Sequence, residues 1–221
     1  MEQRVNIRSL GHKGEGVGSA SGLVVFVDGA LPLETVDVEI FDKKKRYAKA
    51  QLLNIIQKSP HRIDPPCKVY QTCGGCQLQH LSYPEQLKAK TQRVRESLSK
   101  IAHDSDAVIE ECLPSPQEFH WRHKVQLPAA TVNGKTVFGF YEKGSTRVVP
   151  TDSCLIHVNE GNDILKTIES HVNTLSIRAY DKQTETGTLR HILLKSSSKS
   201  HKTLVILITN GCEREKIEEL A

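Results

Sequence analysis

The sequence predicts a mainly β protein of mixed α+β class: a small N-terminal β-barrel, a cysteine-rich loop, and a strand-rich central α+β domain. Three observations carry this. Short strand-like runs separated by turn residues fill the first 58 positions. A proline-rich connector, residues 59–66, leads straight into Cys67, Cys73 and Cys76. Beyond about residue 106 strand patterning returns, punctuated by Asn133-Gly134, the strongest short hairpin signal.

The elements follow in order. Residues 23–27, 36–41 and 47–56 read as strands, the middle one strictly alternating. Short strands at this spacing suit a compact barrel. Gly11, Gly14, Gly16 and Gly18 run as G-x-x-G-x-G-x-G. Ser21 stands where a dinucleotide fingerprint needs its third glycine, and a strand rather than a helix follows, so these glycines are expected to be flexible hairpin turns. The connector marks the domain boundary: residues 1–58 form the barrel, 59–82 the linker and cysteine loop, and 83–221 the central domain. A helix is predicted over residues 83–101, opened by a capping box from Ser82 to Glu85, with Leu87, Val94, Leu98 and Ile101 along one face. Residues 123–132 and 135–141 flank the Asn133-Gly134 turn as a hairpin. Residues 160–175 read as a helix, and 189–195 and 203–209 as a second strand pair joined by the serine-rich loop 196–202. A further helix begins near Gly211, and the sequence reads as interrupted two turns into it.

Composition narrows the class. With 38% apolar and 25% charged residues over 221 positions, the chain can bury a real core. No stretch approaches the roughly 18–20 consecutive apolar residues of a membrane span, and the N-terminus lacks the apolar run of a signal peptide. A cytoplasmic protein is expected, without a membrane or DNA partner; there thiols stay reduced and clustered cysteines mean metal or catalysis rather than disulfides. A formal net charge of +4 points to an anionic partner. The cations gather in runs: Lys43, Lys44, Lys45, Arg46 and Lys49; Lys88, Lys90, Arg93 and Arg95; Arg122, His123 and Lys124. A single run is most simply a solvated face. Three of them suit phosphate neutralisation by an RNA-binding protein.

Cys67-x5-Cys73-Gly74-Gly75-Cys76, with Cys154 downstream, supplies four thiols, enough for an iron–sulfur cluster. A zinc site would also use four thiolates, although as two close pairs. A redox pair at Cys73 and Cys76, or inert buried thiols, are the other readings. Cys112 and Cys212 have no spacing partner and read as free thiols.

The motif Cys67-x5-Cys73-Gly74-Gly75-Cys76-Gln77-Leu78-Gln79-His80, followed by Tyr83 and Gln86-Leu87-x-x-Lys90, closely resembles the iron–sulfur RNA (uracil-5-)-methyltransferases that make 5-methyluridine in 23S ribosomal RNA. The resemblance extends to Leu10-Gly11-His12-x-Gly14-x-Gly16-Val17 and Gly29-Ala30-Leu31-Pro32, which look like a TRAM domain, an OB-like RNA-binding barrel. Trp121-Arg122-x-Lys124-x-Gln126, Gly139-Phe140-Tyr141 and Leu189-Arg190-His191 look like the family's central domain, and Cys154 falls where its fourth cluster ligand belongs. The resemblance implies a [4Fe-4S] cluster on Cys67, Cys73, Cys76 and Cys154, and S-adenosylmethionine as methyl donor. Leu33 replaces the family's usual glycine before Glu34, which strains the turn if it needs a positive φ. His123 stands where asparagine or arginine is usual.

The family's cofactor-binding, Rossmann-like catalytic domain has no counterpart in these 221 residues. The sequence therefore offers no catalytic residue, and the expectation is RNA and cluster binding without methyl transfer by this chain. The alternative is a non-catalytic RNA-binding TRAM/iron–sulfur protein. A radical S-adenosylmethionine methylthiotransferase, which needs C-x3-C-x2-C, is set aside because the first gap here is x5.

Candidate RNA contacts are Lys44, Lys45 and Arg46 on the barrel and Arg122 and Lys124 on the strand entering the hairpin. Backbone contacts of this kind set register without reading sequence. His80 is expected to hydrogen-bond within the cysteine loop rather than touch RNA, and Trp121 and Tyr141 to pack in the core rather than stack on bases. The apolar stripe of the 83–101 helix is expected to be exposed in this chain alone.

Overall fold

The computed structural model describes residues 2–211 and 214–220; Cys212 lies outside them. The chain divides into two compact units, Met1–Pro66 with Cys76–Pro114, and Cys67–Gly75 with Ser115–Ala221.

The first unit is built on a closed five-stranded barrel. Its strands are β1 (Glu2–Leu10), β2 (Gly16–Ala20), β3 (Leu23–Val27), β4 (Thr35–Lys43) and β5 (Tyr47–Gln57), in the order β1-β2-β3-β5-β4. Alternate residues face inward, as the pleat requires: Val5 and Ile7, Val25 and Val27, Val36 and Val38 meet with Ala30 and Ala50 in one buried cluster. Parallel pairing of β3 with β5 closes the barrel and removes its free edges.

Two of the four glycines expected in turns are strand residues instead. Gly16 and Gly18 lie in β2, where close approach, not backbone freedom, requires them. A Cβ on Gly18 would stand 2.6 Å from the Asn6 carbonyl oxygen and overlap a Val5 methyl. One on Gly16 would come within 2.8 Å of the Ala30 carbonyl. Gly14, at φ +87°, is a genuine turn residue.

Helix α1 (Tyr83–Ser97) starts where the sequence predicts, but the capping box is absent. The Ser82 side chain makes no cap hydrogen bond, and Glu85 turns instead to Lys88 at 2.6 Å. The Gln86 side-chain amide instead ties the helix to the preceding loop, donating to the Leu78 and Leu81 carbonyls at 3.0 and 2.8 Å. The helix also ends differently: Leu98–Ala102 form a π-helical turn closed by His103 at φ 57°. Of the expected apolar stripe, Val94 and Ile101 are exposed and Leu87 and Leu98 half-buried. The buried residue of α1 is Thr91, whose hydroxyl donates to the Leu87 carbonyl and accepts from the Cys112 amide.

The second unit carries a five-stranded sheet in the order β10-β9-β6-β7-β8: β6 (Lys124–Val132), β7 (Lys135–Tyr141), β8 (Val148–Pro150), β9 (Leu189–Ser197) and β10 (Lys202–Thr209). Both predicted hairpins form, and Asn133 and Gly134 take the positive φ of their tight turn. Helix α2 (Asn159–Thr174) lies against β7 and β9 and buries Leu165 and Val172 with Phe138, Leu189, Ile192 and Leu194. A short helix α3 (Arg214–Leu220) follows β10. No helix among the described residues is long and apolar enough to cross a membrane.

Candidate nucleic-acid interface and cysteine centre

On the barrel, the tight connection from β4 to β5 projects Lys44, Lys45 and Arg46 into solvent. The Lys44 amide donates to the Tyr47 carbonyl and closes this turn. Asp42 engages Lys44 at 2.9 Å and Lys49 at 3.9 Å, while among the described residues no acidic side chain pairs with Lys45 or Arg46 in this way. Aromatic surface adjoins the cations. Phe41, at 68% exposure, precedes the run, and Tyr47, which follows it, packs edge-on against Phe26 with centroids 5.8 Å apart. Cations interleaved with exposed aromatic rings are what single-stranded RNA requires of a surface.

The second unit has its own basic and aromatic surface. Residues 120–122 are stitched to the segment after Cys154: His120 N–H donates to the Leu155 carbonyl, Arg122 N–H to that of Ile156, and Val158 N–H back to that of Arg122. This pairing fixes the Arg122 backbone, and its guanidinium lies over the Trp121 ring at 5.2 Å from the centroid. Trp121 is nevertheless 46% exposed, and Tyr141 40%. The core role expected for both is therefore wrong. Tyr141 ends β7 and Trp121 lies just before β6, where strand alternation does not decide a side chain's side. Lys124 is exposed at the start of β6. Beside Trp121 opens a cleft of about 440 Å³, lined among others by His120, His123, Ser196, His201 and Lys202. Local sequence reading missed it because its walls come from three distant segments.

His157 lies beneath this surface, almost wholly buried, with Gly161 of α2 against its ring. Burial pushes its pKa down, and nearby Arg122 and His123 add to that against a hydrogen bond to Asn162. His80 is buried too, which removes it as an RNA contact.

Cys67, Cys73, Cys76 and Cys154 are half-buried and form no disulfide. Three belong to the second unit, and Cys76 begins the segment that returns to the first. Cys73 is held by an antiparallel bridge to Glu142, with the Gly74 amide on the Tyr141 carbonyl at 2.9 Å and the Lys143 amide on that of Thr72 at 3.2 Å. Gly74 is needed there, since a Cβ would stand 2.9 Å from the Tyr141 oxygen. The Gly75 amide donates to Cys73 Sγ at 3.4 Å. Cys154 is fixed by Asn162, whose side-chain amide accepts from its N–H at 3.0 Å and donates to its carbonyl at 3.1 Å. Among the described residues no three His, Cys, Asp or Glu side chains stand close enough to hold a metal ion.

Residues 1–53 match the family model of the TRAM domain. The chain is 37% identical over 214 residues to an uncharacterized RNA methyltransferase of Clostridium tetani, covering 97% of this chain and 46% of the relative. It is likewise 37% identical over 220 residues to one from Caldanaerobacter subterraneus, covering 98% of this chain and 48% of that protein. The chain thus spans about half the length of the curated relatives it matches. The fold is similar to that of the Pyrococcus abyssi tRNA (uracil-54, C5)-methyltransferase, solved with S-adenosyl-L-homocysteine: TM-score 0.69, 22% identity, covering 94% of this chain and 46% of that one.

Proposed function

We propose that this chain is the RNA-binding part of an S-adenosylmethionine-dependent RNA (uracil-5-)-methyltransferase, with 23S ribosomal RNA as its expected substrate. The observation that carries the reading is an N-terminal TRAM barrel followed by a second unit, over nearly the whole of which the chain aligns with RNA methyltransferases. Those relatives favour an enzyme over a non-catalytic RNA-binding module. The uracil-5 position comes from the sequence motifs, and the Pyrococcus abyssi enzyme with the similar fold acts on uracil C5 as well.

In this account Lys44, Lys45 and Arg46 on the barrel and Arg122 and Lys124 on the second unit neutralise RNA phosphates. Cys67, Cys73, Cys76 and Cys154 hold a [4Fe-4S] cluster. The donor set suits it: four reduced thiols, with a backbone N–H already directed at one sulfur, an interaction that tunes such clusters. When bound, the cluster supplies a covalent cross-link between distant stretches of chain. Gly75 and Asn162 orient Cys73 and Cys154, and none of these residues is assigned a part in methyl transfer.

Binding of a labelled RNA hairpin, followed by anisotropy across a salt series, tests the electrostatic claim. Each phosphate contact contributes about 0.7 to the log–log salt slope on single-stranded RNA. The Lys44→Ala/Lys45→Ala/Arg46→Ala variant should therefore bind more weakly and lose about 2 from the slope. An unchanged slope would remove the barrel run from the interface.

A further inference from the structure

The cleft beside Trp121 combines an aromatic ring with cationic and hydroxyl groups. Trp121 is the chain's single tryptophan, and it lines a cavity rather than the core. At about 440 Å³ the cavity falls in the roughly 300–1,000 Å³ range of small-ligand sites. The remaining wall is mixed: Pro116 and Val158 are apolar, while His120 and His123 from the segment around Trp121, and Ser196, His201 and Lys202 from the end of β9, the serine loop and the start of β10, bring hydrogen-bonding groups. One carboxylate, Glu160, is set against Lys202 and the three imidazoles. A purely apolar ligand would leave these polar groups without partners, and a simple anion would leave the indole unused. A base with its sugar and phosphate uses both.

We propose that this cleft binds one unpaired nucleotide of an RNA strand, its base stacked on Trp121 and its phosphate against Lys202 and the hydroxyl-rich loop. The proposal rests on the RNA-binding reading above and deepens it. Aromatic stacking recognises bases that are out of a duplex, because only then is the π-face free. Arg122 lies over one face of the indole, within cation–π range, so the base takes the opposite face.

The single tryptophan makes the test direct. An unlabelled RNA hairpin with a uridine-rich single-stranded loop is titrated into the chain while Trp121 emission and its accessibility to acrylamide are read. Anisotropy of a labelled copy measures binding independently. Emission should fall, acrylamide access should drop, and both signals should give the same Kd; a blunt duplex of the same stem should leave the emission unchanged. Trp121→Ala should bind the hairpin about tenfold or more weakly, the scale of one base–aromatic stack, and Trp121→Phe should recover most of that loss. Lys202→Ala, which keeps the fluorophore, should also weaken binding and lower the salt slope by about 0.7. Hairpin binding with Trp121 emission and acrylamide access unchanged would overturn the proposal while leaving RNA binding intact. So would equal quenching by the duplex, or unchanged affinity in Lys202→Ala. Failure of the hairpin to bind at all by anisotropy would overturn the RNA-binding reading itself.

Discussion

Leu33 holds φ at +70° with its side chain 62% exposed, and its amide is committed to the Ile7 carbonyl at 3.0 Å. An L-residue in this region carries about 1 kcal/mol or more of strain, and so little side-chain burial gives scant return. Leu33→Gly should raise the barrel's stability by up to about 1 kcal/mol, read as a shift in the urea midpoint. This was legible in the sequence, because a leucine stood where a glycine is usual. Its neighbour Glu34 was not. Its carboxylate is buried and accepts from Arg62 Nε at 2.6 Å, Arg62 Nη2 at 2.8 Å, and the Leu31 and Ser59 amides. The two residues stand 28 apart in sequence, too far for local patterning to pair them. Burial raises the Glu34 pKa, and Arg62 with the two amides outweighs that and holds it below its ordinary 4.5. A folded-state value below the unfolded one contributes stability above the unfolded pKa and loses it as pH falls through the folded value. The barrel should therefore hold its melting temperature down to about pH 5 and lose it steeply below. Glu34→Gln should abolish this acid sensitivity and, by leaving the Arg62 charge poorly matched in a buried setting, cost about 3–5 kcal/mol at neutral pH.

At the scale of elements, alternating β-branched and aliphatic residues made β3, β4 and β5 readable, and the Asn133-Gly134 turn fixed the β6–β7 hairpin. β1 went unread because polar and charged residues flank its two inward positions, Val5 and Ile7. β2 was hidden by its glycines, whose poor strand propensity imitates a turn. Their role is to let β2 lie against β1 and the loop holding Ala30 without side chains between. Gly18→Ala should accordingly destabilise the barrel by about 1–3 kcal/mol or more, because a backbone oxygen is among the atoms that must move. Gly22→Ala offers the contrast: it sits at φ +77° with open space around it, so the cost is backbone strain alone, about 1 kcal/mol. Equal losses at the two positions in denaturant unfolding would contradict the close-approach account. The capping box failed for a related reason. Spacing can nominate Ser82 and Glu85, but the competing partner Lys88 and the better-placed Gln86 decide the hydrogen bonds.

Across the whole molecule, the cysteine spacing was readable from the sequence and the cleft beside Trp121 was not. Cys67, Cys73 and Cys76 fall within ten residues, a pattern visible without a fold. The cleft gathers Trp121, Glu160 and Lys202 from segments some 40 residues apart, which only tertiary structure brings together. For the cluster, the chain purified without oxygen should carry about four iron and four sulfide per molecule with a broad visible absorption. Cys73→Ser should lower both, whereas Cys112→Ser, outside the ligand set, should leave them unchanged; zinc in place of iron would replace the cluster with a tetrathiolate site. The central claim is that the protein carrying this chain acts on uridine C5 in RNA. The most direct measurement is quantitative mapping of 5-methyluridine in ribosomal and transfer RNA from cells with and without the gene. Loss of 5-methyluridine at a defined position of 23S ribosomal RNA, restored by the intact gene, is the predicted result. Unaltered 5-methyluridine at every position in both RNA classes would contradict it.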